Sequence, residues 1–220
     1  MKLLNSVIYK RVCSFVFWLA VAFSILNHFV FHTLPKDTRQ LVTKEKPAII
    51  YDNREYLSTI DDVQVSNGYV YILYGELHLV KVFDIKQNYI CSIIASGQDD
   101  HGARSRMFVK DKTLILYVET DAYVFIDNAF VKYCSFEEYP ALKGEIRRNL
   151  NDYRNNYDEQ QRRFFRRGVN IYYTEPNGDE SVFYHRSFLY TLCSPIFSWA
   201  LWIIFFSLFV PREVHKQRTQ

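Results

Sequence analysis

The stretch richest in chemistry-bearing residues is Gln98-Asp99-Asp100-His101-Gly102, with Arg104 and Arg106 close behind. Two carboxylates and an imidazole at adjacent positions offer ligands to a divalent cation and a group that titrates near neutrality for acid–base work. Asp99, Asp100 and His101 are therefore the candidate metal-binding residues, although the same types are ordinary in a polar loop and the loop reading is preferred. His28 and His32 lie four residues apart, hence on one helix face, with Asn27 beside them. At a membrane interface such side chains reach headgroups at small cost, which favours a structural role. A third cluster, Arg162, Arg163, Phe164, Phe165, Arg166 and Arg167, sets four guanidinium groups around two rings. That composition suits the C-terminus of a helix, or contact with anionic lipid headgroups at a membrane interface. Gly-rich phosphate loops, Gly-x-Ser-x-Gly elbows, CxxC pairs and HExxH do not occur in the sequence. No catalytic residue is assigned, no cofactor is expected, and a non-enzymatic role is preferred.

The elements that must carry these residues begin with two apolar segments. No Asp, Glu, Lys or Arg occurs between Arg11 and Lys36, or between Arg186 and Arg212. Residues 12–31 and 188–210 are each long enough for a helix to cross about 30 Å of hydrocarbon. Lys2, Lys10 and Arg11, with Ala20-Val21-Ala22 behind them, also fit a cleaved secretory signal. The apolar run continues unbroken through that point to Phe31, so an uncleaved anchor is preferred. Pro195 should kink or loosen the second span, while Ala20 with Ser24 and Ser194 with Ser198 form small-residue pairs at which helices can seat together.

Both short tails are basic, residues 1–11 through Lys2, Lys10 and Arg11, and residues 211–220 through Arg212, Lys216 and Arg218. Basic tails stay in the cytoplasm, which puts Thr33 to Ser187 outside it and makes the chain a multi-pass protein of the cell membrane. A formal net charge of +3 and a pI of about 8.5 lack the concentrated basic stripe that phosphate backbones require, so no nucleic-acid partner is expected. Of the four cysteines, Cys13 and Cys193 fall in the spans and Cys91 and Cys134 in the middle. Buried free thiols are favoured for the latter two over a disulfide.

Between the spans, residues 32–47 read as a linker, with mixed charges and two prolines, Pro35 and Pro47. Residues 48–136 read as a β domain. Its strands are Ala48 to Tyr51, Val63 to Val65, Tyr69 to Tyr74, Leu77 to Phe83 and Tyr89 to Ile94, then Met107 to Val109, Thr113 to Val118, Ala122 to Ile126 and Phe130 to Ser135. The two sets superpose. Val65-Ser66-Asn67-Gly68 aligns with Val109-Lys110-Asp111-Lys112, Val82-Phe83 with Val124-Phe125, and Cys91-Ser92 with Cys134-Ser135, a period in the low forties. Gly68-Tyr69-Val70-Tyr71-Ile72, Lys81-Val82-Phe83-Asp84 and Asn88-Tyr89-Ile90 resemble the blades of NHL-type and related six-bladed β-propellers. The resemblance implies two blade-like antiparallel sheets over about residues 61–136 and a scaffold for protein, sugar or lipid contacts. The glycine of the blade turn is replaced by Gln87-Asn88, and Asp127-Asn128-Ala129 departs further. Two blades cannot close a propeller, so a small sandwich, an assembly of several chains or an unrelated antiparallel meander are the open forms.

Residues 137–167 read as an amphipathic helix, because Leu142, Ile146, Leu150, Tyr153 and Tyr157, then Phe164 and Phe165, recur at three and four positions between Pro140 and Gly168. Residues 168–187 read as a membrane-proximal hairpin turning at Asn177-Gly178. The expected fold is thus a mostly β (α+β) domain flanked by two transmembrane α-helices. The expected partners are membrane lipid and either another protein or further copies of this chain. The leading functional expectation is binding of a protein or envelope ligand, as a sensor or accessory subunit. A metal-dependent membrane enzyme working through residues 99–101, and a structural assembly factor, are the alternatives.

Overall fold

A computed structural model describes residues 7–31, 34–56, 58–96, 104–119, 121–135, 156–186 and 195–217. The chain divides into two compact units, one formed by residues 1–32 with 187–220 and the other by residues 33–186.

In the first unit, α1 (Val7–Phe31) packs against a long C-terminal helix, α3 (Pro195–Gln217). Ala20 is fully buried, and the Ser24 and Ser198 hydroxyls meet at 2.9 Å. The Trp202 indole N–H donates to Ser24 Oγ at 3.0 Å, and the Tyr9 hydroxyl donates to the Leu208 carbonyl. Phe17 and Phe23 lie against Trp202 and Phe197, with ring centroids 5.9 and 5.1 Å apart. Small residues let the backbones approach, and the hydroxyl pair satisfies polar groups that apolar surroundings would otherwise strand. Within α1 the window Tyr9–Leu26 is long and apolar enough to cross a membrane. Among the described residues it is the one helix that meets this measure, and the apolar part of α3, Phe197–Leu208, is shorter. The second span expected over residues 188–210 lies partly outside the described residues, and α3 itself runs past Val210 to Gln217. Pro211 removes one hydrogen bond, to the Ser207 carbonyl, without ending the helix.

The second unit is built from three antiparallel sheets. After a single helical turn, α2 (Lys36–Gln40), which interrupts the expected linker, come β1 (Ala48–Ile50), β2 (Asp62–Ser66), β3 (Tyr69–Tyr74), β4 (Leu79–Asp84) and β5 (Tyr89–Ile94). They form one sheet in the order β1-β5-β4-β3-β2. Strands β6 (Arg106–Lys110), β7 (Thr113–Val118), β8 (Asp121–Ile126) and β9 (Ala129–Ser135) form a sequential four-stranded meander. A third sheet contains β10 (Arg163–Arg167), β11 (Asn170–Thr174) and β12 (Glu180–Tyr184).

The first sheet lies between the other two. Val63, Val65, Val70, Ile72 and Phe83 share a core with Phe164, Ile171 and Phe183 of the third sheet. Tyr71, Leu73, Val80, Val82 and Ile93, on the opposite face, share another with Met107, Val109, Leu114, Leu116 and Phe125. Burial on both faces is why β3 and β4 carry near-continuous apolar runs instead of alternating ones. The repeat is also visible in the stacking. Val65 and its counterpart Val109 belong to successive cores, as do Cys91 and Cys134, so the first two sheets pack head to tail. Cys91 and Cys134 are consequently buried free thiols facing different cores.

Side chains stitch the innermost strands. Gln64 on β2 accepts from the Val109 N–H and donates to the Met107 carbonyl, both at 2.9 Å, substituting for a backbone ladder between β2 and β6. Ser66 Oγ donates to the Asp111 carbonyl at 2.7 Å. Asn67 and Asp111 hold equivalent turn positions with φ of 51° and 52°, where short polar side chains tolerate left-handed backbone.

The amphipathic helix expected over residues 137–167 is corrected where it is described. Residues 156–162 are not helical, and Arg163–Arg167 is strand β10. A run such as Arg-Phe-Phe-Arg-Arg fits either period, and pairing with β11 decides between them: Phe164 stands opposite Tyr173, and Phe165 opposite Tyr172. The hairpin expected over residues 168–187 is β11–β12, which pairs Thr174 with Glu180 across the 175–179 turn and is joined by β10 into a sheet.

Candidate functional site

Asp99, Asp100, His101 and His32 lie outside the described residues, as do the side chains of Asn27 and His28. Among the described residues no group of three or more His, Cys, Asp or Glu side chains is placed to hold a metal ion. Arg104, at the end of the same polar stretch, contacts Glu76 at 2.9 Å and Asp61 at 3.4 Å. Asp61 also accepts from the Gly75 N–H at 2.9 Å, and burial raises its pKa. A side chain at position 75 would run into this carboxylate and crowd the Ser105 carbonyl, so anything larger than glycine requires Asp61 to shift and gives up the present fit.

The arginine cluster is spread by the strand geometry. Arg162 is largely buried against Asp158 at 2.6 Å, and Arg166 donates to the Ile60 carbonyl. Arg167 binds Glu180 through two hydrogen bonds of 2.8 and 3.0 Å and covers the stacked rings of Phe165 and Tyr172. Phe164 is wholly buried in the core. Arg163 and Arg167 stand exposed on β10, flanking half-buried Phe165. The helix-terminus explanation for this cluster has no helix to act on, and three of its four arginines are engaged within the chain.

A different cluster gathers where β4, β5, β12 and the segment of residues 51–60 meet. Lys81 stands in the middle of β4, opposite Ile72 on one side and Ser92 on the other, yet only 1% of it is exposed. Its ammonium donates to Asn53 Oδ1 at 3.0 Å and sits over the rings of Tyr56, Tyr89 and Tyr184 at 5.7, 5.7 and 5.9 Å. Arg186, also 1% exposed, lies over the Tyr74 ring at 5.0 Å and donates to the Ser58 and Tyr56 carbonyls. Its backbone N–H is held by Asn170 Oδ1 at 3.1 Å. The Tyr74 and Tyr184 hydroxyls are 3.5 Å apart. The Tyr89 hydroxyl lies 2.9 Å from the Ile50 carbonyl, the Asp52 carbonyl and Ser92 Oγ, which ties the covering segment to β5.

Burial depresses the Lys81 pKa to about 8, and the positive charge of Arg186 adds to the effect, while Glu55 and Asp52 pull it back. Burial pushes Tyr89 up to about 12 and raises Tyr56 and Tyr184, so the three hydroxyls remain protonated around the ammonium. Ring faces supply electrostatic attraction, on the order of 0.5–2 kcal/mol per contact, but they do not replace the hydration shell of an ammonium.

The sequence carries one signal for this cluster: Lys81 is a single charge in the apolar run from Leu77 to Phe83. On an exposed strand face such a lysine is unremarkable. It becomes significant only because the third sheet and residues 51–56 cover it, and neither neighbour is visible from the local pattern. Comparison with protein families, with curated proteins and with solved structures finds no match to this chain.

Proposed function

We propose that this chain is a two-pass membrane protein holding its three-sheet β unit on the extracytoplasmic side, where the unit binds a protein or envelope ligand as a sensor or accessory subunit. The observation that carries the reading is the outward surface of the α1–α3 pair. Phe15, Trp18, Trp199 and Ile203 are 64 to 69% exposed, although the helices already pack through Ala20, Ser24, Ser198 and Trp202. Water tolerates scattered apolar side chains but not a helix pair clothed in them, and lipid solvates such a surface. The basic tails favour the stated orientation. The stacked meanders β2 to β5, with β1 added at the edge, and β6 to β9 support the blade-like reading of the β unit, and architectures of that kind serve as binding scaffolds in proteins of many functions.

The test is membrane fractionation of the full chain, followed by an impermeant maleimide on a variant with cysteine at the exposed turn residue Asp127. The chain should stay with carbonate-washed membranes, and Asp127→Cys should label in intact cells. Release into the supernatant would refute the tether, and labelling only after lysis would refute the orientation. Purification in mild detergent should bring down a stoichiometric partner. A solitary particle containing metal would instead favour the chemistry of Asp99, Asp100 and His101.

A further inference from the structure

We infer that the Lys81 cluster is a binding site for the carboxylate of a small organic acid, with Asn53 occupying the ligand's place in the unliganded protein. An ammonium has three N–H donors, and among the described residues the hydrogen-bond acceptor that meets Lys81 Nζ is Asn53 Oδ1. The tyrosine rings take the other directions as faces, not as acceptors. A buried ammonium served by one neutral amide is under-coordinated, and a carboxylate is the acceptor that satisfies both its charge and its free donors.

Three further observations point to an anion. Arg186 is a second buried cation close enough to lower the Lys81 pKa, and its influence exceeds that of either Glu55 or Asp52. The segment whose carbonyls Arg186 holds carries Ser58 Oγ and Thr59 Oγ1, buried hydroxyls with no hydrogen-bond partner among the described residues. Such donors are available to an acceptor that enters beside this segment. The cover is also irregular: residues 51–55 are exposed and form no regular structure, and although Tyr89 holds the Asp52 carbonyl, Asn53 meets the ammonium through its side chain alone. Swinging the Asn53 side chain outward would free one donor direction of the ammonium without disturbing the β4 ladder. The ring walls suit a monoanion with an apolar body, whereas a phosphate dianion would leave charge facing aromatic faces. Asp52 and Glu55 stand exposed at the rim and oppose additional negative charge on the ligand.

The test uses the full chain in a non-ionic detergent, titrated with acetate, inorganic phosphate or chloride at constant ionic strength and pH 7. Calorimetry and thermal melting are the readouts. Acetate should bind saturably to the wild type. Asn53→Ala should bind it at least as tightly, having lost the internal competitor, and Lys81→Met should lose at least about tenfold in affinity. Lys112→Met, on an exposed turn, should bind like the wild type. Absence of saturable acetate binding would overturn the inference. Equal affinity in Lys81→Met, or saturable binding of phosphate without acetate, would overturn it as well. None of these outcomes bears on whether the chain is anchored in a membrane, so the two proposals fail separately.

Discussion

Lys81→Met should raise the stability of the β unit at pH 7 and remove part of its dependence on pH. In the folded chain the Lys81 pKa is about 8 against an ordinary 10.5, so folding disfavours the charged form. A depression of that size corresponds to roughly 3 kcal/mol. Between pH 8 and pH 10.5 the unfolded chain binds more protons at this residue than the folded one, so its contribution to stability rises with pH across that window. Below pH 8 both states are protonated and the whole penalty is present. Methionine keeps the stem and the ring contacts and discards the charge. The variant forgoes the hydrogen bond to Asn53, worth about 1 kcal/mol, and because Asn53 is exposed its amide returns to water at little cost. The net expectation at pH 7 is a gain of about 2 kcal/mol, shrinking toward zero or below by pH 10.5. Denaturant unfolding of wild type and variant in the same detergent, from pH 6.5 to 10.5, measures it. Titrations of the cysteines, and of tyrosines other than the three whose rings surround Lys81, cancel in the difference. Parallel pH profiles, or a variant less stable than wild type by more than about 1 kcal/mol at pH 7, would show that the ammonium is not held at a penalty.

Four other outcomes follow from the packing. Phe164→Ala should cost about 3–5 kcal/mol and Phe165→Ala much less, because strand geometry buries the first ring and leaves the second half-exposed; equal costs in chemical denaturation would argue for a helix there. Gln64→Leu should destabilise by about 2–4 kcal/mol, since it strands the Val109 N–H and the Met107 carbonyl in the core, and hydrogen exchange at Val109 should accelerate if the bridge is real. Gly75→Ala should cost about 1–3 kcal/mol through its collision with Asp61, and Asp61→Ala should restore much of that loss in a double-mutant cycle. The Cys91 thiol, which burial pushes up to about 11, should resist iodoacetamide at pH 8 until the chain unfolds; rapid labelling of the native protein would place it at the surface instead.

Much of the β unit is determined by local rules. Asn67-Gly68 and Asp111-Lys112 turn the chain at equivalent points, and the flanking runs are rich in β-branched and aromatic residues, so β3, β5 and β7 fall where strand composition and turn chemistry put them. The superposition of Val65 on Val109 and of Cys91 on Cys134 likewise follows from sequence and reappears as head-to-tail stacking of two sheets. Tertiary structure decided the rest. The run Arg163 to Arg167 obeys helix and strand periods equally well, and only its partner β11, with Phe164 seated in the core beneath β2 and β3, selects the strand. Lys81 shows the same limit at the level of a site. Its identity and its strand are legible from the sequence, but the tyrosines, Asn53 and Arg186 that enclose it come from three separate stretches of chain, and burial is a property of that assembly rather than of any one of them. Local sequence dictates backbone period because neighbouring residues share one ladder, whereas the dielectric around a charge is set by whatever the whole fold brings against it.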